Sequence, residues 1–492
     1  MDDRNGTIDI KRGITSRVPH PTALVPQNVV DAEPQRDSLM RIGKWVAQHE
    51  LSAPGPFQVA RDLLVRRPPR MSLAKIETLI GQTGQMTDVA RQMIRSLCLQ
   101  PSVLPVQGPP GSGKTYTGAR MITELVQNGH RVGITATSHK VISRLLQETC
   151  KAARDANVHL QAVQKAKEDD GCSDPMVKQL NSNEEVLNAM TSRSAQVAGG
   201  TAWLWAREDM ANSVDVLFVD EAGQMSLADV LAVSQAATSI VLLGDPQQLN
   251  QPQQGVHPPG VDVSALAHLL EGRATVDSER GLFLKETWRL PPDICAFTSE
   301  LFYDGRLAAR PENRNQRLNT NGPLDGTGLR FVPVQHSGNQ SESLEEVEKV
   351  TALMNGLLES RTTWTTKTGE KLVLKLEDIL VVAPYNAQVS ALARRLPIGS
   401  RVGTVDKFQG QQAAVVIYSM TTSTPEDAPR GMEFLYSLNR LNVAVSRAQC
   451  VAVVVASPAL FQVECKTPRQ IQLANALCRY LELARLEEGE KA

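Results

Sequence analysis

The chain has 492 residues, with 52 basic and 53 acidic side chains and a formal net charge of -1. Its length suggests about three folding units, and its 41% hydrophobic content is enough for an ordinary core, which excludes wholesale disorder. The apolar runs are shorter than the about 20 residues of a membrane-spanning helix, and the first residues lack the apolar run of a secretory signal. We therefore expect a cytoplasmic protein without membrane association, which would bind any nucleic acid in a local groove.

Residues 1–85 show no clear strand pattern, and several prolines punctuate the start of the chain. This pattern predicts an extended arm followed by helices. The segment also holds a cluster of four arginines: Arg61, Arg66, Arg67 and Arg70. Such a cluster favours a solvated helix end over a phosphate contact.

From Val103 onward, short apolar runs alternate with segments of helical period, which is typical of parallel α/β sheets. The apolar runs lie at 103–107, 131–136, 214–222 and 239–245, and again at 329–334, 378–385, 413–420 and 450–457. We therefore predict an α/β protein with two parallel-sheet lobes. The polar stretch at 151–195 predicts a helical insertion in the first lobe. The predicted domains are an N-terminal region at 1–85, a first lobe at 86–285, a second lobe at 286–470 and a C-terminal helix at 471–492.

The first apolar run is followed directly by GPPGSGKT at 108–115, which fits GxxxxGK[ST] between a strand and a helix. In such a loop, glycines allow backbone N–H groups to curl around phosphate oxygens at the positive end of the helix dipole. The lysine reaches the β and γ phosphates, and the hydroxyl of the last residue binds Mg²⁺. The predicted nucleotide contacts are Gly108, Gly111, Ser112, Gly113, Lys114 and Thr115.

Phosphoryl transfer also needs carboxylates at a neighbouring strand end, and VLFVDEAGQ supplies Asp220 and Glu221 after four apolar residues. Asp220 suits a Mg²⁺ contact, and Glu221 suits the general base that activates water. After the next apolar run, GDPQQL at 244–249 places Asp245 and Gln248 where a γ phosphate would lie.

Further motifs follow in a fixed order: ETWRLPPDICAFTSELFYDGRL at 286–307, APYNAQ at 383–388, GTVDKFQGQQ at 403–412 and LNRLNVAVSRAQ at 438–449. With the phosphate loop and the acidic motif, this ordered set resembles the helicases of superfamily 1, subgroup B, over residues 86–460. That subgroup includes the nonsense-mediated-decay helicase and the Okazaki-fragment nuclease-helicase. The amino-acid sequences of the motifs are most similar to those in the helicase part of bacterial RecB-like nuclease-helicase proteins.

The resemblance implies that both lobes are RecA-like parallel-sheet lobes of the P-loop class, and it implies roles for residues of each. Gln248 would be the sensor of the γ phosphate. Arg289 and Arg447 would be arginine fingers from the second lobe, because a planar cation spreads charge over the equatorial oxygens of the transition state. Residues of the GTVDKFQGQQ motif would couple the nucleotide and nucleic-acid sites: Thr404, Asp406 and Gln409. Gly410 of the same motif would lie at the nucleotide.

For the nucleic-acid strand, the resemblance implies contacts from hydroxyl, basic and aromatic side chains, which suit phosphate and sugar rather than base reading. The predicted contacts are Thr137, Ser138, Lys140, Tyr385, Gln388 and Thr404. Trp203 and Trp205 fit stacking platforms for bases and core packing equally well.

The sequence departs from the family at three positions. A glutamine is expected before the phosphate loop, but alignment by spacing puts Arg91 near its position. Gln92 lies beside Arg91, and Gln85 lies upstream. Gln412 stands where relatives have a glutamate, and Asn250 stands where a proline is common. Adenine selectivity is the property that these departures affect most.

The resemblance implies an ATP hydrolase that uses ATP and Mg²⁺ and acts as a 5′ to 3′ helicase or translocase. Its track would be single-stranded nucleic acid, DNA in preference to RNA, and a RecB-like nuclease would be a partner. The alternative is a nucleic-acid-stimulated ATPase that clamps or remodels nucleoprotein without processive unwinding. Strand displacement distinguishes the two hypotheses.

Overall fold

The computed structural model describes residues 31–70 and 85–486, except for 168, 250, 252–256, 258–259, 360 and 409. Residues 1–30 and 71–84 of the predicted N-terminal region lie outside the described residues, as do Asn250 and Gln409. The chain folds into two compact units. We call Glu33–Asn315 with Leu438–Arg447 the first lobe, and Gln316–Ser437 with the chain from Ala448 onward the second lobe.

The first lobe alternates helices and strands. In chain order these are α1 (Glu33–His49), α2 (Gln58–Leu64), α3 (Met86–Leu99), β1 (Val103–Gln107), α4 (Lys114–Gln127), β2 (Val132–Thr135), α5 (His139–Asp155), β3 (Ala162–Lys165), β4 (Val177–Leu180), α6 (Asn183–Thr191), β5 (Val197–Gly199), α7 (Ala202–Trp205), β6 (Val214–Val219), α8 (Leu227–Val233), β7 (Ala237–Gly244), α9 (Ala265–Leu270), β8 (Leu282–Phe283), β9 (Glu286–Thr287), α10 (Pro292–Phe302) and β10 (Ala308–Ala309).

Eight of these strands form one sheet in the order β4-β3-β5-β2-β6-β7-β1-β8. Every pair in it is parallel. The four predicted strands of this lobe are confirmed as β1, β2, β6 and β7, and β1 is buried along its whole length. Because all the strands point the same way, their carboxyl ends and the loops that follow them share one edge of the sheet.

The segment at 151–195 differs from the helical insertion that we predicted. It contains α6, but it also contains β3 and β4, which extend the sheet at one edge. Each of these two strands has four residues and includes polar side chains. Buried Gln164 of β3 accepts a hydrogen bond from Cys172 N at 2.7 Å. Strands this short, with a polar interior position, lack the apolar run by which we identified the others.

The arginine cluster at 61–70 stabilises the N-terminal helices. Arg61 is buried and donates to the carbonyl oxygens of Leu51 at 2.7 Å and Gly55 at 3.1 Å. Arg67 and Arg70 both pair with the buried carboxylate of Asp62, at 3.1 and 2.7 Å. The prediction of a solvated helix end was therefore wrong for buried Arg61. It was also wrong for the ion pairs that Arg67 and Arg70 make with the buried carboxylate of Asp62.

The second lobe contains a further set of elements. In chain order these are β11 (Arg317–Asn319), β12 (Gly328–Pro333), α11 (Leu344–Glu359), β13 (Thr363–Thr365), β14 (Lys371–Val373), β15 (Ile379–Ala383), α12 (Asn386–Arg395), β16 (Arg401–Thr404), β17 (Ala413–Ser419) and α13 (Met432–Leu435). After α14 (Leu438–Val445), which belongs to the first lobe, come β18 (Ala448–Ala456), α15 (Pro468–Leu483) and β19 (Arg485–Leu486).

Its main sheet has the order β16-β15-β17-β18-β12-β19, and all its pairs are parallel. The four predicted strands of the second lobe are thus confirmed as β12, β15, β17 and β18. The fold is that of two RecA-like α/β lobes. None of the described helices is both long and apolar enough to cross a membrane.

The chain leaves the first lobe later than we predicted. We expected the second lobe to begin at residue 286, whereas residues 286–315 belong to the compact unit of the first lobe. The reason is local: Thr287 Oγ1 donates to Pro110 O in the phosphate loop at 2.9 Å, and Trp288 N donates to Gly111 O at 2.9 Å. These bonds hold the segment after β9 against the loop.

Candidate nucleotide site and nucleic-acid surface

The phosphate loop lies between β1 and α4, at the carboxyl edge of the first sheet. Gly113, the N-cap of α4, has φ 83° and gives the helix no side-chain cap. The N–H groups of the first helical turn therefore point into the loop, where an anion would accept their hydrogen bonds. Gly108 N donates to Gly244 O at 2.9 Å, which anchors the start of the loop to the end of β7.

The loop is shaped to hold an anion. A Cβ on Gly108 would lie 2.0 Å from Lys114 Cγ, and a Cβ on Gly111, where φ is +73°, would lie 2.5 Å from Arg289 Cβ. At Gly111 the positive φ and the close neighbours favour glycine, whereas at Gly108 a larger residue would displace the Lys114 side chain. Ser112 Oγ is buried without a hydrogen-bond partner. A buried hydroxyl of this kind costs free energy unless a ligand satisfies it, so the residues present fit a bound phosphate.

The two acidic residues follow β6 on the same edge. Asp220 is buried, and its Oδ1 accepts a hydrogen bond from Glu221 N at 2.9 Å. Glu221 Oε2 lies 3.6 Å from Lys114 Nζ, and Glu221 has an unusual positive φ of 52°. Burial raises the pKa of Asp220, and the charge of Glu221 raises it further, while Lys114 opposes the shift. The structure thus brings Lys114, Asp220 and Glu221 together in one site.

The segment after β7 contributes the predicted sensor. Gln248 is buried, and its Nε2 donates to Asp245 Oδ2 at 2.7 Å. The same carboxylate oxygen accepts a hydrogen bond from the hydroxyl of Tyr303 at 2.6 Å. Burial raises the pKa of Asp245, although Lys114 and these two donors oppose the shift. Asp245 therefore links the sensor glutamine to α10, whose last residue, Phe302, directly precedes Tyr303.

Both predicted arginine fingers lie in the first lobe, whereas we expected them in the second. Arg447 is 2% exposed, and its Nε and Nη2 are buried without hydrogen-bond partners. Burial lowers the pKa of Arg447 to about 10, while nearby Glu221 opposes the shift. Arg289 Nη1 donates to Ser446 O at 3.2 Å. Burial and the charge of Arg447 lower the pKa of Arg289 to about 9. The two cations therefore lie close together beside the acidic residues.

Helix α14, which ends two residues before Arg447, is docked on the sensor segment by two asparagines. Asn439 Nδ2 donates to the carbonyl oxygens of Pro246, at 2.9 Å, and of Gln248. Asn442 Nδ2 donates to Gln247 O at 2.8 Å and to the Tyr303 hydroxyl at 3.0 Å. We did not predict these contacts. The repeated Leu-Asn pairs of LNRLN, directly before the finger motif, were the available signal.

Trp288 is a further residue near the phosphate loop that we did not predict from the sequence. Its side chain is 47% exposed, although its backbone is hydrogen-bonded to the phosphate loop. The guanidinium of Arg310 lies 4.0 Å from the centre of its ring. An exposed indole this near the loop offers a flat surface to the base or ribose of a nucleotide.

Arg91, which lies near the position of the glutamine expected before the phosphate loop, forms an ion pair with α4. Arg91 Nη2 donates to Glu124 Oε2 at 2.7 Å, and Arg95 Nε donates to Glu124 Oε1 at 2.6 Å. Burial would raise the pKa of Glu124, but these two arginines hold it below its ordinary value. Arg91 therefore joins α3 to α4, which leaves the position of the expected glutamine occupied by a structural ion pair.

The predicted nucleic-acid contacts of the first lobe lie at the same sheet edge as the nucleotide site. Thr137, Ser138 and Lys140 are exposed between β2 and the first turn of α5. Ser138 caps α5, since its side chain accepts a hydrogen bond from Val141 N. Trp203 is 41% exposed, whereas Trp205 is buried and donates to Ile134 O at 3.1 Å. Of the two tryptophans, only Trp203 is exposed enough to stack on a base.

In the second lobe, the structure corrects one predicted contact. Gln388 is fully buried: its Nε2 donates to Ser419 Oγ at 2.9 Å and its Oε1 accepts from Ser343 N at 2.8 Å. Its amide has no surface for a nucleic acid. Tyr385 is 7% exposed, with its ring 5.5 Å from that of Phe434. Thr404, at the end of β16, is half-buried.

The remaining predicted residues of that motif follow β16. Gly410 has φ 76° and lies beyond a short 3-10 turn that begins at Val405. Its predicted role at the nucleotide stays a prediction.

Comparisons with known proteins agree with this description. A family model described as "AAA domain" matches residues 85–258, and another with the same description matches residues 261–459. The chain is 25% identical over 394 residues to "DNA replication ATP-dependent helicase/nuclease DNA2" from Bos taurus, covering 73% of this chain and 36% of that protein. It is also 25% identical over 421 residues to "Regulator of nonsense transcripts 1 homolog" from Drosophila melanogaster, covering 76% of this chain and 35% of that protein.

A yeast relative is shorter. The chain is 23% identical over 409 residues to "DNA polymerase alpha-associated DNA helicase A" from Schizosaccharomyces pombe, covering 70% of this chain and 59% of that protein. The chain thus spans between about a third and three fifths of these relatives. Among solved structures, an arterivirus nonstructural protein 10 helicase with DNA matches with a TM-score of 0.40 and 16% identity, over 72% of this chain and 60% of that one. The ordered motifs, the two RecA-like lobes and these relatives fit a helicase of superfamily 1.

Proposed function

We propose that the protein hydrolyses ATP and uses the reaction to move 5′ to 3′ along single-stranded nucleic acid, opening duplexes ahead of it. The observation that carries the ATP-hydrolysis part of the proposal is Arg447, a buried cation beside the phosphate loop whose Nε and Nη2 have no hydrogen-bond partner. A buried, incompletely satisfied guanidinium costs several kcal/mol, on the order of 3 or more. A ligand with dense negative charge would satisfy this guanidinium, and the γ phosphate of ATP supplies such a charge.

In the proposed reaction, each residue has one task. The loop N–H groups and Lys114 bind the β and γ phosphates, and Ser112 donates its hydroxyl to a phosphate oxygen. Glu221 accepts a proton from the attacking water. Arg447 and Arg289 stabilise the charge on the transferred phosphoryl group, where a planar cation acts most strongly. Gln248 senses whether the γ phosphate is present.

Mg²⁺ would be held by Thr115 and Asp220, in the positions that a hydroxyl and a strand-end carboxylate take in P-loop enzymes. When bound, the ion neutralises charge on the β and γ phosphates. The buried carboxylate of Asp220, whose pKa is raised in the protein alone, fits this role because a cation would stabilise its charged form.

For the nucleic-acid strand, the exposed hydroxyl and basic side chains of Thr137, Ser138 and Lys140 support a contact to phosphate and sugar. The N-terminus of α5 lies at the same place and favours an anion. Binding of this kind ignores base sequence and weakens steeply with salt. Tyr385 and Thr404 complete the proposed contacts in the second lobe; Gln388 does not take part.

DNA is the proposed track in preference to RNA, since two of the relatives carry DNA in their printed names. One of them is named as a helicase and a nuclease. On that basis we propose a RecB-like nuclease as the partner of this chain, which would degrade the strand that the motor exposes. The cytoplasm is the proposed location.

One experiment tests the proposal. ATP hydrolysis and strand displacement are measured on duplexes of DNA and of RNA with 5′ or 3′ single-stranded tails, with Mg²⁺ and with Mg²⁺ removed by a chelator. We expect Mg²⁺-dependent hydrolysis stimulated by single strands and displacement of 5′-tailed DNA. Hydrolysis that nucleic acid stimulates, without strand displacement, would indicate a clamp or remodeller instead of a motor. Hydrolysis that no nucleic acid stimulates would overturn the proposal.

A further inference from the structure

A continuous set of hydrogen bonds joins the predicted sensor to the helix that leads to Arg447. Gln248 Nε2 donates to Asp245 Oδ2 at 2.7 Å, and the Tyr303 hydroxyl donates to the same oxygen at 2.6 Å. The oxygen of that hydroxyl accepts from Asn442 Nδ2 at 3.0 Å. The same Nδ2 donates to Gln247 O at 2.8 Å. All the residues involved are buried except Gln247.

The set crosses three elements of the first lobe that are far apart in sequence. It begins after β7, passes through the residue that follows α10, and ends on α14. Asn442 uses its amide group on two acceptors, one in the sensor segment and one on Tyr303. Because Arg289 Nη1 also donates to Ser446 O at 3.2 Å, the backbone on either side of the last turn of α14 is fixed. Arg447 follows directly.

We propose that Asn442 and Tyr303 are positioning residues, which hold Arg447 in a fixed relation to the γ-phosphate sensor formed by Asp245 and Gln248. The inference rests on the proposed function. Neither residue reaches the reacting atoms. Asn442 sets where α14 lies, and Tyr303 connects that position to the carboxylate that orients Gln248. A displacement of Gln248 by the γ phosphate is thereby transmitted to the finger.

The geometry explains why these residue types are needed. Tyr303 must accept one hydrogen bond and donate another through a single oxygen, which a phenol does and a phenyl ring cannot. Asn442 must donate to two acceptors from one short side chain, for which the amide group is suited. The chain of bonds ends on a buried carboxylate, so each bond in it acts in surroundings of low dielectric constant, where it is strengthened.

The test compares Asn442→Ala and Tyr303→Phe with the unmodified protein in single-turnover ATP hydrolysis, both with and without single-stranded DNA. We expect Asn442→Ala to lower the rate by about 10²-fold, the effect of a small misplacement of a reacting group. Tyr303→Phe, which keeps the ring, should lower it about tenfold, the effect of one hydrogen bond to a charged group. Affinity for ADP should stay within about twofold, because ADP lacks the γ phosphate.

A double substitution separates positioning from a general structural role. If Asn442 acts through the finger, adding Asn442→Ala to Arg447→Ala should cause no further loss of rate, since the misplaced group is already absent. A double variant whose loss of hydrolysis rate equals the product of the two single losses would overturn the inference. So would a rate for Asn442→Ala equal to that of the unmodified protein.

Gln235→Ala is the matched control. Gln235 is a buried amide whose Nε2 donates to two backbone oxygens, of Ala206 at 2.6 Å and Arg207 at 2.8 Å. We expect it to lower the melting temperature as much as Asn442→Ala and to leave hydrolysis unchanged. An equal loss of rate would overturn the inference, because lost stability would then explain both. Hydrolysis without DNA tests the inference by itself. It does so even if DNA does not stimulate hydrolysis and the proposed motor function is therefore wrong.

Discussion

Each lobe buries a group of polar side chains near the carboxyl ends of its parallel strands, and the two groups differ in how far they are satisfied. In the first lobe, Ser112 Oγ and two nitrogens of Arg447 have no hydrogen-bond partner. In the second lobe, the group around Glu346 satisfies itself. Glu346 Oε2 accepts from Ser419 Oγ at 2.5 Å and from Thr421 N at 2.9 Å.

Histidine completes the second group. His336 Nε2 lies 3.1 Å from Glu346 Oε1, and its Nδ1 lies 2.7 Å from Ser423 Oγ. Gln388 adds a further donor to Ser419. Although a serine, a histidine and a glutamate in a row resemble a hydrolytic triad, the side chains of His336 and Glu346 are fully buried, as is Ser423. No substrate can reach them.

Hydrogen-bond satisfaction distinguishes a binding site from a structural network when both consist of buried polar groups at strand ends. Nearly all buried polar atoms in native proteins are hydrogen-bonded, and leaving one without a partner costs about 1–3 kcal/mol. Unsatisfied groups that collect in one place therefore indicate a missing ligand. Satisfied groups indicate a fold that needs them.

The largest effect is expected at Arg447. Arg447→Ala should lower the rate of ATP hydrolysis by about 10³-fold or more, because the guanidinium stabilises transition-state charge. It should not lower the melting temperature, since a buried charge with unsatisfied nitrogens is removed. Both are measured on the same preparations, by single-turnover hydrolysis and by thermal unfolding.

Arg447→Lys sharpens the assignment of the finger. An ammonium cannot make the planar two-point contact, so this substitution should restore little of the lost rate. Full activity of the lysine variant would show that a point charge is sufficient and that Arg447 is not a finger.

The next effect concerns the general base. Glu221→Gln should slow hydrolysis by about 10² to 10⁴-fold, the usual contribution of a positioned base. Binding of Mg²⁺-ATP should be retained, because the phosphate contacts remain. Equilibrium binding of a fluorescent ATP analogue and single-turnover hydrolysis measure the two properties separately. Weaker binding with an unchanged rate would assign Glu221 to binding rather than to catalysis.

In the second lobe, the same kind of change should act on stability instead. Glu346→Ala leaves Ser419, Thr421 N and His336 without their shared acceptor, and should lower the free energy of unfolding of that lobe by about 3 kcal/mol. Hydrogen exchange resolved by peptide measures this in β17. The ATP concentration at half-maximal rate should not change at temperatures where the lobe stays folded. A specific loss of nucleotide binding would contradict the structural reading.

Much of this architecture could be predicted from the sequence, because eight strands are apolar runs and the phosphate loop is a local motif. The exceptions have physical reasons. Strands β3 and β4 carry too few apolar residues to stand out. Burial of Gln388 depends on Ser343 and Ser419, which lie 45 and 31 residues away along the chain. Helix α14 belongs to the first lobe because of asparagine contacts with residues more than 190 positions earlier. Partners at such separations leave no periodic pattern in the sequence.

The smallest effect is the most direct test of the comparison, since it predicts opposite signs for binding and stability. Ser112→Ala removes a buried hydroxyl without a partner, so the free energy of unfolding should stay constant or rise by up to about 1 kcal/mol. Affinity for ATP and ADP should fall about tenfold, because the hydroxyl would donate to a charged phosphate oxygen. Ser234→Ala is the control: the Ser234 hydroxyl is buried but donates to Leu231 O at 2.7 Å. We expect that variant to lose about 1 kcal/mol of stability with unchanged nucleotide affinity. If Ser112→Ala destabilised the protein as Ser234→Ala does, and bound nucleotide normally, then an unsatisfied hydroxyl in this fold would not indicate a ligand.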